Sequence, residues 1–396
     1  MAENAQLGPL VDFLPNKAVR SVLARLPPRS VCRFRAVSRA WRRLLTFDRN
    51  FLFEHHRHQP LQPMIAFINC KYTPGVQVYS RSGMQALDFR TGEIRAITIN
   101  PAEARHRRSF EDDKVFKVHG SCNGLLLLHF HEVFFVYNPA TRQRTSLPPL
   151  QSDEVAALYC YNYGAPLGVG EYRVLYHRGQ GIEKCYYIIS VSTDSTLDQG
   201  ERTRAIGRPR TPSSSASAYL DLDAALVQGP SPAWARPPLQ LRDNLHWPPQ
   251  GQGSQDQKSH ILVFDTVIEV FSWIKAPLVM EEKDTVVLLE MEGKLAMSTC
   301  RRGARVVDLS ILEDYRHGEI WVSMHRILLP AGLTSRLDYR EHGFAFIASQ
   351  YGDVLVSTPQ GVLHYNKNGI QVNDFFPEGF PHYVTTHLLK ESLVPY

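Results

Sequence analysis

No stretch of this chain stays apolar long enough to cross a bilayer. The most hydrophobic run, Gly124 to Tyr137, is broken by His129, His131 and Glu132 and falls well short of the roughly 20 residues a span needs. No transmembrane helix and no membrane association are therefore expected. The first 15 residues contain no lysine or arginine and no apolar core, so a secretory signal is not expected either, and the protein is expected in the cytoplasm and nucleus. The cysteines Cys32, Cys70, Cys122, Cys160, Cys185 and Cys300 never form a C-x-x-C pair, a scatter that fits reduced core thiols and excludes a zinc knuckle or disulfide framework. No N-x-[ST] acceptor occurs.

Catalytic signatures are missing as well. His131-Glu132 meets Phe135 where a zinc-protease helix needs its second histidine, and Gly168-x-Gly170 meets Arg173 where a dinucleotide loop needs glycine. Gly293-Lys294 leads into Leu295 instead of Ser or Thr, and no G-x-S-x-G elbow occurs. His55, His56 and His58 have no cysteine or paired acids beside them and read as a polar linker. No catalytic residue, metal site or cofactor is expected.

Acidic residues are scarce in one place. Residues 16–58 hold eleven Lys or Arg against only Asp48 and Glu54, a local charge of +9 in a chain whose net charge is +5. The rest of the 396 residues is thus close to neutral, and the basic segment calls for an acidic partner, either nucleic acid or an acidic protein surface. With 43% hydrophobic and 21% charged residues, the chain is long enough for a small domain joined to a large one.

Within the basic segment, Val19, Val22, Leu23 and Leu26 recur at helical spacing, and Pro27-Pro28 ends that helix while Pro28 can open the next. A second short helix carries Val31 and Phe34. A third carries Val37, Trp41, Leu44 and Leu45, with Ser38 as its cap. Three helices in so few residues make a small core, so a partner is expected to complete the apolar stripes. Leu14-Pro15, Leu26-Pro27 and Ser30-Val31-Cys32-Arg33-Phe34-Arg35-Ala36-Val37-Ser38-Arg39-Ala40-Trp41 resemble the F-box of plant F-box proteins.

The resemblance implies docking onto a Skp-type adaptor and, through it, a cullin. The adaptor-binding set it implies is Leu14, Pro15, Val19, Leu23, Leu26, Pro27, Val31, Val37, Ser38 and Trp41. Family members carry an acidic pair directly after the first Leu-Pro, where this chain has Asn16 and Lys17. A competing reading is a helix-turn-helix nucleic-acid binder, against which the arginines at 33, 35, 39, 42 and 43 spread around the helices without forming one stripe.

From Met64 the helical period gives way to short β-branched or aromatic runs. A strand ending in Asn or Asp, followed by a turn, recurs at Asp88, Asn138, Asp265 and Asn366, with weaker copies at Ser192-Thr193-Asp194 and Val307-Asp308. Six units of about 50 residues predict a β-propeller-like domain of about six blades, with a large β-sandwich or two smaller β domains as the alternative. His382 to Leu389 alternates like a strand and is expected to pair with Met64 to Ile68 and close the ring. Tyr159, Tyr161 and Tyr163 share one face of a strand, as core or as a recognition surface.

Val118-His119-Gly120-Ser121-Cys122-Asn123-Gly124-Leu125-Leu126, Tyr137-Asn138-Pro139-Ala140-Thr141-Arg142 and Asn244-Leu245-His246-Trp247 resemble the plant F-box-associated domain. The expected organisation is a flexible N-terminus at 1–11, a three-helix F-box at 12–53, a linker at 54–62 and an F-box-associated β-propeller-like domain at 63–396. This large domain carries a disordered Pro, Ser and Arg-rich insertion at 195–238, in which Thr211 and Ser213 to Ser215 are candidate phosphorylation sites. The class is α plus all-β. The function implied is a non-catalytic substrate receptor of a Skp-cullin-F-box ubiquitin ligase with an unknown protein substrate, the alternative being a nucleic-acid-binding regulator.

Overall fold

In a computed structural model, the protein is described over residues 16–73, 76–88, 93–97, 117–130, 133–150, 155–161, 171–179, 185–191, 203–209, 237–250, 258–281, 284–301, 304–315, 320–331, 344–347, 349, 352–358, 361–375 and 382–394. Leu14, Pro15, Tyr163, Asp194, residues 1–11 and the candidate phosphorylation sites lie outside this set. No described helix is long and apolar enough to cross a membrane.

Four helices come first: α1 (Asn16–Arg25), α2 (Pro28–Phe34), α3 (Arg39–Phe47) and α4 (Arg49–His58). Pro28 sits in the first turn of α2, where its missing N–H costs nothing. Ser38 caps α3 by accepting a 3.1 Å bond from the Trp41 amide, and Asp48 caps α4 by accepting one of 2.9 Å from Phe51. The fourth helix corrects two expectations, three helices and a linker from residue 54. Phe51 and Leu52 bury one side of α4, and His55 extends that side with no exposed surface. In α1 the buried residues are Leu23 and Ala24, while Val22, expected on the core stripe, is 62% exposed.

Six four-stranded antiparallel sheets follow. The first blade combines His382–Leu389, Gln62–Thr73, Val76–Asp88 and Glu93–Ile97. The second holds Lys117–Cys122, Leu125–Phe130, Val133–Tyr137 and Arg144–Ser146, and the third Val155–Tyr161, Glu171–Arg178, Cys185–Val191 and Thr203–Ile206. The fourth has Leu239–Leu241, Asn244–Trp247, His260–Asp265 and Val270–Lys275, and the fifth Thr285–Met291, Lys294–Cys300, Val306–Asp314 and Ile320–Leu328. Phe344–Ile347, Val354–Thr358, Gly361–Tyr365 and Gln371–Phe375 complete the sixth.

The chain's last strand closes the ring as the sequence predicted: Gln62 pairs with Leu389, Ile65 with Val384 and Phe67 with His382. The first blade alone joins the two ends of the domain in one sheet, whereas each of the other five is built from four consecutive strands. Thr203–Ile206, expected within the disordered insertion, is instead the fourth strand of the third blade, and residues 195–202 and 210–236 lie outside the described set.

The blades pack face to face. Leu125 and Leu127 join Phe134, Val155, Val174 and Ile189 between blades two and three, while Leu126 and Leu128 turn to Met64, Met84 and Leu389 on the other side. A sheet covered on both faces needs a continuous apolar run, which explains Leu125-Leu126-Leu127-Leu128. Tyr159, without exposed surface, packs edge-on to Phe264 at 6.2 Å between blades three and four, so this tyrosine is core.

The recurring turns have the expected mechanism. The Asn138 side chain accepts from the amides of Ala140 and Thr141, Asp265 from Val267 and Ile268, and Asn366 from Asn368 and Ile370. Each loop then passes through a left-handed residue, Arg142, Glu269 or Gly369. Val307-Asp308 is no such turn. It lies inside Val306–Asp314, where Val307 faces Cys300 and Asp308 faces Thr299.

Candidate functional site

The expected adaptor-binding residues divide by burial. Leu23 and Val31 are 2% and 0% exposed and form the F-box core with Ala24, Leu45, Phe51 and Leu52. Val19, Leu26 and Trp41 are partly covered and pack on that core, Trp41 meeting Phe34 edge-on at 5.6 Å. Pro27, Val37 and Ser38 face solvent. The apolar side chains that the helices leave open are Val22, Val37 and Phe47, at 62%, 53% and 73% exposure. Val22 was expected on the core stripe because a hydrophobic residue at helical spacing reads as core, and Phe47 was not singled out in the sequence. Arg25, Arg29, Arg33, Arg39, Arg42 and Arg43 are exposed around them, so the basic charge is available to a partner.

Arg35 and Arg20 are engaged within the module, the first by a 3.0 Å bond to the Leu45 carbonyl and the second by ion pairs. The Arg20 guanidinium spans α1 to α4, bonding Asp48 at 3.0 and 3.3 Å and Glu54 at 3.1 Å. The bond from Arg20 holds the Asp48 carboxyl below the ordinary carboxylate range, so it stays an anion that both pairs with Arg20 and caps α4. His55 Nε2 donates to the Leu26 carbonyl at 2.9 Å, and Gln59 Nε2 donates to the same oxygen at 3.1 Å, tying the end of α1 to α4. Burial lowers the His55 pKa, and a neutral ring fits this donor role. Among the described residues no group of side chains suits a metal ion.

The F-box core is finished by the chain's own C-terminus. Leu393 and Val394, 2% and 6% exposed, belong to the same cluster as Leu23, Val31 and Leu45. The segment leading there is pinned at every residue: Glu391 pairs with Arg95 at 2.8 Å, and its carbonyl accepts from His56 Nδ1 at 3.1 Å. Asn138 Nδ2 donates to the Ser392 carbonyl at 3.1 Å, and the Ser392 hydroxyl accepts from the Val394 amide. Gly124, at φ +83°, lies so close that a Cβ there would sit 2.5 Å from Ser392. Sequence reading did not find this strap, whose only signal is an apolar pair in a polar tail.

Comparison with known proteins bears on this geometry. The family model for the F-box domain matches residues 12–53, and that for the F-box associated beta propeller domain matches residues 86–360. Among curated relatives, all from Arabidopsis thaliana, an F-box protein is 29% identical over 43% of this chain and 39% of its own length. An F-box/kelch-repeat protein is 25% identical over 41% of this chain and 44% of its own length, and F-box only protein 8 is 26% identical over 38% and 47%. The chain thus spans less than half the length of each of these relatives.

Among solved structures, the Cps50 (Swd1) beta-propeller domain of Myceliophteria thermophila has 12% identity and a TM-score of 0.39 over 80% of this chain and 91% of its own. A chain of the nidogen/laminin complex has 10% identity and a TM-score of 0.40 over 82% and 97%. Neither bears on function. The propeller family's match over well over half of the chain, behind an F-box match on the four-helix module, places this protein among the F-box proteins with an F-box associated beta propeller domain.

Proposed function

We propose that the protein is the substrate-recognition subunit of a Skp-cullin-F-box ubiquitin ligase, working in the cytoplasm and nucleus. The F-box docks a Skp-type adaptor, which joins the cullin, and the propeller captures a protein substrate for ubiquitination. The receptor does no bond chemistry. It converts the encounter between substrate lysine and charged ubiquitin carrier into an intramolecular one, raising their effective concentration.

The observation that carries this reading is an F-box with open Val22, Val37 and Phe47 among exposed arginines, anchored to the propeller through the Glu391 to Val394 strap. The apolar contacts would supply affinity, and the basic rim would speed encounter with an acidic adaptor surface. A firm junction matters because tethering works only where geometry lets both ends engage at once.

A reconstituted ligase tests it. The full chain, adaptor, cullin, RING subunit and ubiquitin-charging enzymes are combined, and ubiquitin on the receptor itself is followed. Conjugates that need both adaptor and cullin are expected. Their absence with an assembled, active cullin–RING core would overturn the proposal.

A further inference from the structure

A cavity of about 320 Å³ opens where the propeller meets α4 of the F-box. Both modules line it. His56 and Leu61 come from α4 and the residues after it, while Ser121, Gln240, Leu288 and His387 come from four different blades. Its volume is at the lower end of the range of about 300–1,000 Å³ typical of small-molecule sites, too small for a folded partner.

The chemistry of the walls is lopsided. Leu61, Leu239 and Leu288 make an apolar side, and the charged side has two cations, Lys390 and Arg242, against one carboxylate, Glu290. No ion pair joins Lys390 to a described residue. Glu290 acts on its ammonium from longer range, and the Arg57 charge on α4 opposes it. Burial accordingly pushes the Lys390 pKa down, the mark of a cation removed from water without a contact counter-ion. Arg242 uses its guanidinium on a single 3.4 Å bond to the Gly293 carbonyl.

Gln240, by contrast, is committed to the fold: its amide donates to the Cys160 carbonyl at 3.0 Å, and its oxygen accepts from the Cys160 amide at 3.2 Å. The cavity therefore offers two cations beside an apolar wall, and the single carboxylate, Glu290, can balance only one of them.

We propose that this cavity is a binding site for a small amphipathic organic anion, a carboxylate whose head is drawn to Lys390 and Arg242 while its apolar body lies against Leu61, Leu239 and Leu288. Because His56 and Leu61 belong to one module and the other walls to the propeller, an occupied site also ties the two together. This site is independent of adaptor docking.

The test is calorimetric titration of the full chain with the phenylalkanoates from phenylacetate to 6-phenylhexanoate, each beside its neutral primary amide. At least one carboxylate is expected to bind about tenfold or more tightly than its amide. Lys390→Met and Arg242→Asn should each remove most of that preference. Asparagine is chosen because residue 242 sits at φ +54°, a conformation Asn tolerates, so the variant isolates the charge. Arg326→Gln, on the outer strand of the fifth blade, should leave the preference intact. Binding of no carboxylate at millimolar concentration, equal binding of acid and amide, or a preference that survives both cavity variants would overturn the proposal.

Discussion

Glu269 is almost fully buried, and its carboxylate is shared by two arginines from the neighbouring blade, Arg173 at 2.9 Å and Arg204. Arg173 also lies 3.7 Å over the Tyr161 ring. Removing Glu269 leaves Arg173 paired with Glu171 at 2.8 Å and Arg204 about half exposed, so the effect lies between that of a surface pair and that of a fully buried one. Glu269→Ala should lower stability by about 1–3 kcal/mol in chemical denaturation. Glu269→Gln, which keeps an acceptor for one arginine, should cost less; equal losses would show that packing, not charge, dominates there.

Buried histidines, His246 together with His56 and His387, give the pH response. His246 Nδ1 donates to the Leu239 carbonyl at 3.3 Å while Nε2 accepts from the Tyr315 hydroxyl at 2.7 Å, an arrangement only the neutral ring can make. Burial lowers its pKa to about 4 from the ordinary 6.5. The folded-state value is depressed, so this stabilisation is complete above pH 6.5 and is lost as pH falls from 6.5 towards 4, where the unfolded chain takes up a proton first. The slope is at most about 1.4 kcal/mol per pH unit. Denaturation at pH 7, 6 and 5 should therefore be flatter for His246→Gln than for the wild type, and identical slopes would contradict this role.

Elements divide by the range of the interactions that make them. Turns at Asn138, Asp265 and Asn366 were legible because an Asx side chain closes its own loop within four residues. Val307-Asp308 misled because the same dipeptide sits equally well inside a strand when its partners are across the sheet. Helix α4 was hidden for a related reason: His55, His56 and His58 look polar, yet the first is buried through contacts with Leu26, far away in sequence. The strap was marked in the sequence only by an apolar pair in a polar tail, and its contacts were not legible, since His56 and Glu391 are 335 positions apart.

That strap supports a prediction of its own. Leu393→Ala should destabilise the F-box by about 2–4 kcal/mol. Removing residues 392–396 should expose α4 amides to hydrogen exchange while strands in blades three to five stay protected. Unchanged exchange in α4 would show that the helices hold themselves together without the C-terminus.

At the scale of the whole molecule, the closing strand joins the two ends of the propeller, and the residues after it enter the F-box, so the last dozen or so residues hold both modules. The period of about 50 residues between the clear turns pointed to six blades. Of the two weaker copies that filled the gaps, however, Val307-Asp308 lies inside a strand and Ser192-Thr193-Asp194 falls outside the described residues. The F-box was readable from its helical stripes and prolines. The face that captures a substrate was not, because propeller loops diverge while the strands beneath them keep their pattern. The central claim is adaptor docking by the F-box. Its most direct test is calorimetric titration of a Skp-type adaptor into the full chain and into a Leu14→Ala, Pro15→Ala double variant. The account predicts a dissociation constant below about 1 μM for the wild type and at least tenfold weaker binding for the variant. A folded wild-type chain that binds no adaptor, yet binds DNA or RNA with steep salt dependence, would contradict it.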